Sequence, residues 1–146
     1  MKKQEYLDLQ KKHEKEVSEF PIAYAFNDEQ LKEALIKLGA ESTKECVTVF
    51  GHGDIVKREN AKPFIEMLKG HRIELKDKMR HDHEFAEAAF LYEMDNHEYA
   101  INWDGDEEIL NCFGLDEDEL IKFGLKTAYM NARKRHMKNA QEWGMI

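Results

Sequence analysis

Carboxylate side chains without basic neighbours are concentrated in one part of this 146-residue sequence. Residues 81–120 contain fourteen Asp or Glu and not one Lys or Arg, so the segments 1–80, 81–120 and 121–146 carry formal charges of +1, −14 and +5, which sum to −8. Closely spaced carboxylates can imitate the phosphates of a nucleic acid and occupy a Lys- or Arg-rich groove in another protein. The same pattern is also typical of a solvated face that aids solubility and of loose cation binding.

Six of these carboxylates are the ones that we expect to be exposed and to contact a partner. They are Asp104, Asp106, Glu107, Glu108, Glu117 and Asp118. Their clustering is partly explained by two helix N-termini, because the helix macrodipole favours anions there. The expected partner is a basic, nucleic-acid-binding protein, and we do not expect direct binding to DNA or RNA.

Four residues are candidate metal ligands, namely His81, His83, Glu93 and His97. Glu93 and His97 have the i, i+4 spacing of one helix face, whereas His81 and His83 would diverge by about 200° on a helix. None of them completes a zinc motif, since HEY at residues 97–99 is not HExxH. We therefore assign no metal site and expect no cofactor.

A second interpretation is a ligand-binding domain or hydrolase that uses His97, Glu98 and Tyr99 near His52, which lies between two glycines. It requires these four side chains to converge on a concave pocket. The sequence contains no GxSxG, GxGxxG or GxxxxGK[ST] motif, and we assign no catalytic residue. Cys46 lacks CxxC spacing, as does Cys112, and both are predicted to be reduced, mostly buried thiols. A non-enzymatic protein is the favoured expectation.

The C-terminal 26 residues carry six basic side chains and one acidic one. Arg133, Lys134, Arg135 and Lys138 suit the C-terminal end of a helix dipole, and they would also be attracted to the acidic segment. The same attraction between two copies could give a homodimer, and a dimeric structural protein is a third interpretation.

The hydrophobic pattern predicts one α+β domain over residues 1–146, with about six helices around a small, three- or four-stranded, mostly antiparallel sheet. Predicted helices cover residues 2–19, 27–39 (capped by Asn27), 60–70 (capped by Asn60), 85–94, a short segment capped by Asp106 and closed by Gly114, and a long terminal helix from the cap Asp116 to about residue 143. Predicted strands cover 21–26, buried on both faces, a hairpin of 45–50 with 55–58, and 97–103 with one buried face. Residues 71–80 fit either a continued helix or an exposed loop.

Apolar residues form 42% of the sequence and charged residues 36%, which is typical of a folded, highly charged globular protein. The N-terminal sequence has no apolar run like the core of a signal peptide, and no segment approaches the ~20 apolar residues of a membrane span. We therefore expect a cytoplasmic protein with no membrane partner.

Three segments carry a resemblance to a known family. EFPIAYAFNDEQLKEALIKLG, VFGHGDIVKRENAKPF and FLYEMDNHEYAINWDGDEEILNCFGLD occur in that order over roughly residues 15–120. In this pattern the chain resembles a family of small uncharacterised proteins from phages and integrated mobile elements of gut-type Firmicutes. The resemblance implies no catalytic residues. It implies a mobile-element context, in which short, acidic, single-domain proteins often inhibit host defence, anti-CRISPR proteins among them. In that context the basic, nucleic-acid-binding partner would be a host protein, and a phage-encoded protein would be located in the host cell cytoplasm.

Overall fold

The computed structural model describes all 146 residues and forms two compact units. The smaller unit is Lys12–His71, and the larger unit comprises Met1–Lys11 and Arg72–Ile146. The helices and strands are α1 (Lys2–Glu19), β1 (Ala23–Tyr24), α2 (Asp28–Leu38), β2 (Cys46–Val47), β3 (Asp54–Lys57), α3 (Arg58–His81), α4 (His83–Asn96), α5 (Gly105–Phe113), α6 (Glu117–Lys122) and α7 (Lys126–Glu142). Seven α-helices and one three-stranded antiparallel sheet confirm the predicted α+β class. The assignment of residues 1–146 to a single domain stays a prediction.

The sheet lies in the smaller unit, with β3 between β1 and β2. β3 pairs with β2 through Cys46 opposite Lys57, and with β1 through Ala23 opposite Ile55. The predicted hairpin is therefore confirmed, in strands shorter than expected. The prediction that β1 is buried on both faces is wrong, because Tyr24 points to solvent and only one face of so short a strand meets the core.

Helix α2 begins and ends where the sequence predicts. The Asn27 side chain accepts a hydrogen bond from Gln30 N at 2.8 Å, which satisfies one of the N–H groups that a first helical turn leaves unpaired. Gly39 ends the helix in the left-handed conformation, with φ of 69°. Ala34 and Leu38 of α2 are buried with residues of the sheet.

Helix α3 differs from its prediction at both ends. It begins at Arg58, directly after β3, so Asn60 lies in its first turn and is not the cap. Gly70 does not end it, and residues 71–80 continue the helix to His81. No helix of this structure combines the length and the apolar composition that a bilayer crossing requires.

The core of the larger unit is built around α4, as predicted. Phe85, Phe90 and Met94 are fully buried in it. The ring of Phe90 meets the rings of Phe113 in α5 and Tyr129 in α7 edge-on, with centroids 5.1 Å apart in both pairs. This packing fixes the position of α5 relative to α4, which sets the geometry described below.

The predicted strand at residues 97–103 is wrong. This segment forms a 3₁₀ turn at Tyr99–Ile101 that follows Glu98, which has a left-handed backbone with φ of 52°. The backbone N–H of Ala100 donates to His136 Nε2 at 3.0 Å, and that of Ile101 donates to Glu98 O. Because these N–H groups are satisfied locally and by a side chain, no neighbouring strand is needed.

Two helix boundaries in the C-terminal part also differ from their predictions. Asp106 does not cap α5, because the helix begins at Gly105 and Asp106 belongs to its first turn. Gly114 closes α5 and Asp116 caps α6 by accepting from Glu119 N at 2.7 Å, as predicted. The prediction of one long terminal helix is wrong, since Gly124 takes a left-handed conformation with φ of 69° and separates α6 from α7.

Candidate functional site: an acidic groove and a Glu–His–Cys cluster

Helix α5 and the start of α6 form an acidic groove in the larger unit. The chain turns sharply between the two helices, and both first turns are rich in Asp and Glu. The groove has a volume of about 370 Å³. Its lining residues are Asp106, Glu107, Leu110, Asn111, Leu115, Asp116 and Glu117. Four carboxylates thus face a concave surface that also carries two leucines.

The six predicted contact residues fall into two groups. Asp104, Glu107, Glu117 and Asp118 are exposed, and the side chain of none of them makes a hydrogen bond or an ion pair within the chain. Asp106 is exposed as well, whereas Glu108 is half-buried, contrary to the prediction, and both hold other side chains of the larger unit in place. The first group is therefore free to meet a partner, and the second group has a structural role as well.

Asp106 organises a small polar network beside the groove. Its Oδ1 accepts hydrogen bonds from Tyr99 OH at 2.6 Å and from Tyr129 OH at 2.5 Å, and Arg133 Nε donates to Tyr99 OH at 3.1 Å. Burial alone would raise the pKa of the Asp106 carboxyl group, but the two phenol donors stabilise the carboxylate and leave its pKa below the usual value. Asp106 therefore stays ionised as part of this network.

Trp103 lies directly before Asp104 and is fully exposed. Ile101, two residues earlier, is also exposed. A large aromatic side chain without a packing partner next to carboxylates is typical of a contact surface, since Trp supplies both apolar area and an attractive face for cations.

No Lys or Arg side chain of α7 forms a salt bridge with an acidic residue of 81–120. Lys134, Arg135 and Lys138 are exposed, and the one direct contact of this kind from α7 is His136 Nδ1 at 2.7 Å from Asp95 Oδ1. The acidic segment is partly neutralised elsewhere, by Lys2 at 2.6 Å from Asp82 and Lys76 at 3.1 Å from Glu119. Of the four groove carboxylates, only Glu107 and Glu117 are without a side-chain hydrogen bond or ion pair, because Asp106 accepts from two tyrosines and Asp116 caps α6.

A second cluster joins α4 to α5 and contains two of the predicted metal candidates. Glu93 Oε2 lies 3.1 Å from His97 Nε2, and Cys112 Sγ lies 3.6 Å from the same nitrogen. One ligand atom from each of the three residues lies within 4.8 Å of the other two. Glu93 lies in the last turn of α4, His97 directly follows that helix as its C-cap, and the packing of α5 brings Cys112 to them.

The cluster is held from outside by further polar groups. Tyr6 OH donates to Glu93 Oε1 at 3.1 Å, and Gln10 Nε2 donates to Tyr6 OH at 2.9 Å. On the other side, His97 Nδ1 lies 2.7 Å from Glu108 Oε1. The positions of both the carboxylate and the imidazole are thereby fixed.

The environment of this cluster is unusual for a carboxylate. Glu93 is only 6% exposed, whereas His97 and Cys112 are half-buried. Burial, together with the neighbouring Glu93 carboxylate, raises the pKa of the Cys112 thiol to about 11. The contact between Glu93 Oε2 and His97 Nε2 at 3.1 Å therefore lies where solvent screens charge only weakly.

The remaining candidates do not join this cluster. His81 is exposed at the end of α3, with Nδ1 2.7 Å from Asp77 O, and His83 is exposed at the start of α4. Tyr99 belongs to the Asp106 network, and Glu98 is exposed on the left-handed turn.

His52 lies in the smaller unit, in the loop before β3, where its backbone N–H donates to Asp54 Oδ1 at 3.1 Å. Its imidazole side chain is exposed. The two glycines that flank it, Gly51 and Gly53, both have positive φ, so this segment is a turn, as its composition indicates.

Sequence reasoning missed Cys112, and it assigned Glu108 to the partner surface and not to this cluster. A signal was present, because Glu108 and Cys112 repeat on α5 the i, i+4 spacing that Glu93 and His97 have on α4. The spacing alone could not show that the two helices face each other, which depends on packing around Phe90 and Phe113.

Comparison with known proteins gives one family. No curated protein and no solved structure matches this chain. The model of a family of unknown function, DUF7659, matches residues 5–142, which include both units and both candidate sites. The chain belongs to this family of unknown function, DUF7659.

Proposed function

We propose that this protein is a non-enzymatic binding protein whose acidic groove engages a basic, nucleic-acid-handling partner. The observation that carries the proposal is the groove between α5 and α6, which presents four carboxylates on one concave surface. Carboxylates at this density can replace nucleic-acid phosphates in a Lys- or Arg-rich groove.

The contact surface has both charge and an apolar anchor. Asp104, Glu107, Glu117 and Asp118 supply unpaired negative charge, and the exposed Trp103 supplies an aromatic face. Charge steers the encounter and fixes orientation, whereas a buried aromatic side chain contributes more of the affinity. A partner with Arg or Lys side chains around a shallow apolar pocket fits this surface.

The biological context that we propose follows from the family resemblance of the three sequence segments. A phage or mobile-element protein that occupies the nucleic-acid groove of a host protein would inhibit that protein, as an inhibitor of CRISPR defence would. The support for this context is the resemblance and the charge pattern. The location proposed with it is the cytoplasm of the host cell.

The test compares the proteins that the wild type and a charge-reversed variant capture from bacterial lysate. This variant, called the face variant, is Asp104→Lys/Glu107→Lys/Glu117→Lys/Asp118→Lys. None of these four side chains has an internal partner, so we expect the fold to be retained and binding to be lost. Wild-type complexes should dissociate as salt rises, and added duplex DNA or RNA should displace the protein from its partner.

The matched control reverses four exposed carboxylates of the smaller unit, in the variant Glu14→Lys/Glu33→Lys/Glu41→Lys/Glu66→Lys. Each reversal adds two charges, so both variants move the formal net charge from −8 to 0. The control should keep the salt-sensitive partner. Equal capture by both variants, or capture that nucleic acid does not displace, would remove the proposal.

Self-association is the alternative that the same proteins test. Lys134, Arg135 and Lys138 are exposed on α7 and could meet the acidic groove of a second copy. In that case size-exclusion chromatography of the purified wild type would show a dimer at low salt and a monomer at high salt. The face variant would then be monomeric throughout, and no host partner would be needed.

A further inference from the structure

We propose that Glu93, His97 and Cys112 form a binding site for a divalent transition-metal cation of the Zn²⁺ type. This site is independent of the acidic groove. The donor atoms are Glu93 Oε2, His97 Nε2 and Cys112 Sγ, which come from two adjacent helices of the larger unit.

The spacing of the donor atoms fits a tetrahedral metal ion. Metal–ligand bonds of 2.0–2.3 Å at tetrahedral angles place ligand atoms roughly 3.3–3.8 Å apart. Two of the three separations are 3.1 Å, between Glu93 Oε2 and His97 Nε2, and 3.6 Å, between His97 Nε2 and Cys112 Sγ, and all three ligand atoms lie within 4.8 Å of one another. Small side-chain adjustments are therefore enough to accept an ion.

The donor types select the class of metal. Thiolate and imidazole ligands favour Zn²⁺ and other borderline transition metals, whereas Mg²⁺ and Ca²⁺ prefer sites made of oxygen alone. Three protein ligands leave a fourth position for water or another small ligand. His97 and Cys112 are half-buried, so solvent can reach that position.

Surrounding groups orient the ligands as they do in known metal sites. The Glu108 carboxylate lies 2.7 Å from His97 Nδ1, so this nitrogen carries the proton and Nε2 is directed at the other two ligands. Tyr6 occupies Glu93 Oε1 and leaves Oε2 directed at the cluster. A carboxylate–histidine–metal arrangement of this kind raises the basicity of the imidazole.

The charge of the cluster is also suited to a cation. The Glu93 carboxylate is buried and its Oε2 lies 3.1 Å from His97 Nε2, so an ion bound between them would face a carboxylate that solvent screens little. Binding of a divalent ion would release the proton of the Cys112 thiol, and any proton shared by Glu93 and His97 Nε2, to solvent. The cluster would then hold the metal with a thiolate, a carboxylate and a neutral imidazole.

The test is titration of the purified, chelator-treated full-length protein with Co²⁺, followed by Zn²⁺. We expect saturation at one equivalent, with charge-transfer absorption from a cobalt–thiolate bond and intense visible bands of a tetrahedral ion. One equivalent of Zn²⁺ should abolish both features, and excess Mg²⁺ should not. If one equivalent of Co²⁺ gives no thiolate band in the wild type, the proposal is overturned.

Variants assign the band to the cluster. Cys112→Ser should remove the thiolate absorption, His97→Ala should remove tight binding, and Glu108→Gln should weaken Co²⁺ binding by about 10–100-fold through the imidazole. The control Cys46→Ser changes the other thiol, and His81→Ala/His83→Ala changes exposed imidazoles. Both controls should bind like the wild type. A band that survives in Cys112→Ser, or that is lost in Cys46→Ser, would place the metal elsewhere.

Discussion

His136 Nδ1 lies 2.7 Å from Asp95 Oδ1, and the other nitrogen of the same buried ring accepts a hydrogen bond from Ala100 N–H at 3.0 Å. His136 is therefore a neutral imidazole with its proton on Nδ1. The ring is fully buried, and it joins α7 to α4 and to the turn at residues 99–101. The side chain thus supplies Ala100 N–H with the acceptor that a neighbouring strand would otherwise supply.

Replacement of His136 by Ala should lower the free energy of unfolding by about 2–4 kcal/mol, because it leaves a cavity and removes two buried hydrogen bonds. Urea unfolding followed by circular dichroism measures this loss. The exposed neighbour Lys134→Ala is the control and should change stability by less than about 0.5 kcal/mol. Similar values for the two variants would show that the ring does not hold the turn.

Tyr129→Phe should lower the free energy of unfolding by about 1–2 kcal/mol, because Asp106 loses one of its two phenol donors while part of it remains in solvent. The pKa of the Asp106 carboxyl group lies below its ordinary value in the folded protein, so its stabilising effect is present above the ordinary carboxyl pKa and is lost as pH falls through the folded pKa. The difference in the free energy of unfolding between wild type and Tyr129→Phe should accordingly become smaller as the pH is lowered from neutral. A difference that grows at acid pH would contradict this assignment.

Asp54 should be a pH-sensitive support of the loop before β3. This buried carboxylate accepts hydrogen bonds from the backbone N–H groups of Val49 at 2.6 Å, Phe50 at 3.0 Å and His52 at 3.1 Å. Burial alone would raise its pKa, but these donors hold the pKa below the ordinary value. Its contribution is therefore present above the ordinary carboxyl pKa and lost as pH falls through the folded pKa.

Asp54→Ala should lower the free energy of unfolding by about 2–4 kcal/mol near neutral pH, since three N–H groups lose their acceptor. Denaturant titrations over a pH series should show the loss diminishing toward acid. Glu33→Ala, an exposed carboxylate on α2, serves as the control and should show neither effect.

Replacing each of two glycines by alanine should change the free energy of unfolding in opposite directions. Gly70 lies within α3 with open space around its α-carbon, so Gly70→Ala should raise the free energy of unfolding by about 0.5–1 kcal/mol. Gly124 has φ of 69° between α6 and α7, so Gly124→Ala should lower it by about 1–2 kcal/mol. Thermal unfolding of both variants gives the comparison, and shifts of the same sign would contradict the assigned backbone conformations.

Local signals in the sequence determined much of the secondary structure. Asn27 and Asp116 cap their helices through N–H groups three residues ahead, and Gly39 and Gly114 end helices in left-handed conformations. These interactions span at most a few residues, so their sequence patterns carry enough information to place them. The apolar run at residues 85–94 likewise identified the central helix, because a helix that is apolar on every face must be buried.

The alternation of apolar and polar residues gave a wrong prediction where tertiary contacts favoured another backbone conformation. Residues 97–103 have the period of a strand, but the hydrogen bond between His136 and Ala100 joins residues 36 apart and favours a turn. The continuous helical pattern after Asp116 was interrupted because Gly124 adopts a left-handed conformation and α7 then packs on α4.

The sequence by itself determined the excess of negative charge, the helix ends at Asn27, Gly39, Gly114 and Asp116, and the i, i+4 pairing of Glu93 with His97. Only the tertiary structure decided that Cys112 joins that pair, that Tyr6 reaches Glu93 across 87 residues of sequence, and that Asp106 accepts hydrogen bonds from two tyrosines while the Glu107 side chain makes none. The reason is physical. Caps and charge counts depend on residues near one another in the chain, whereas a buried polar cluster forms only where packing of separate helices brings its members within hydrogen-bond distance.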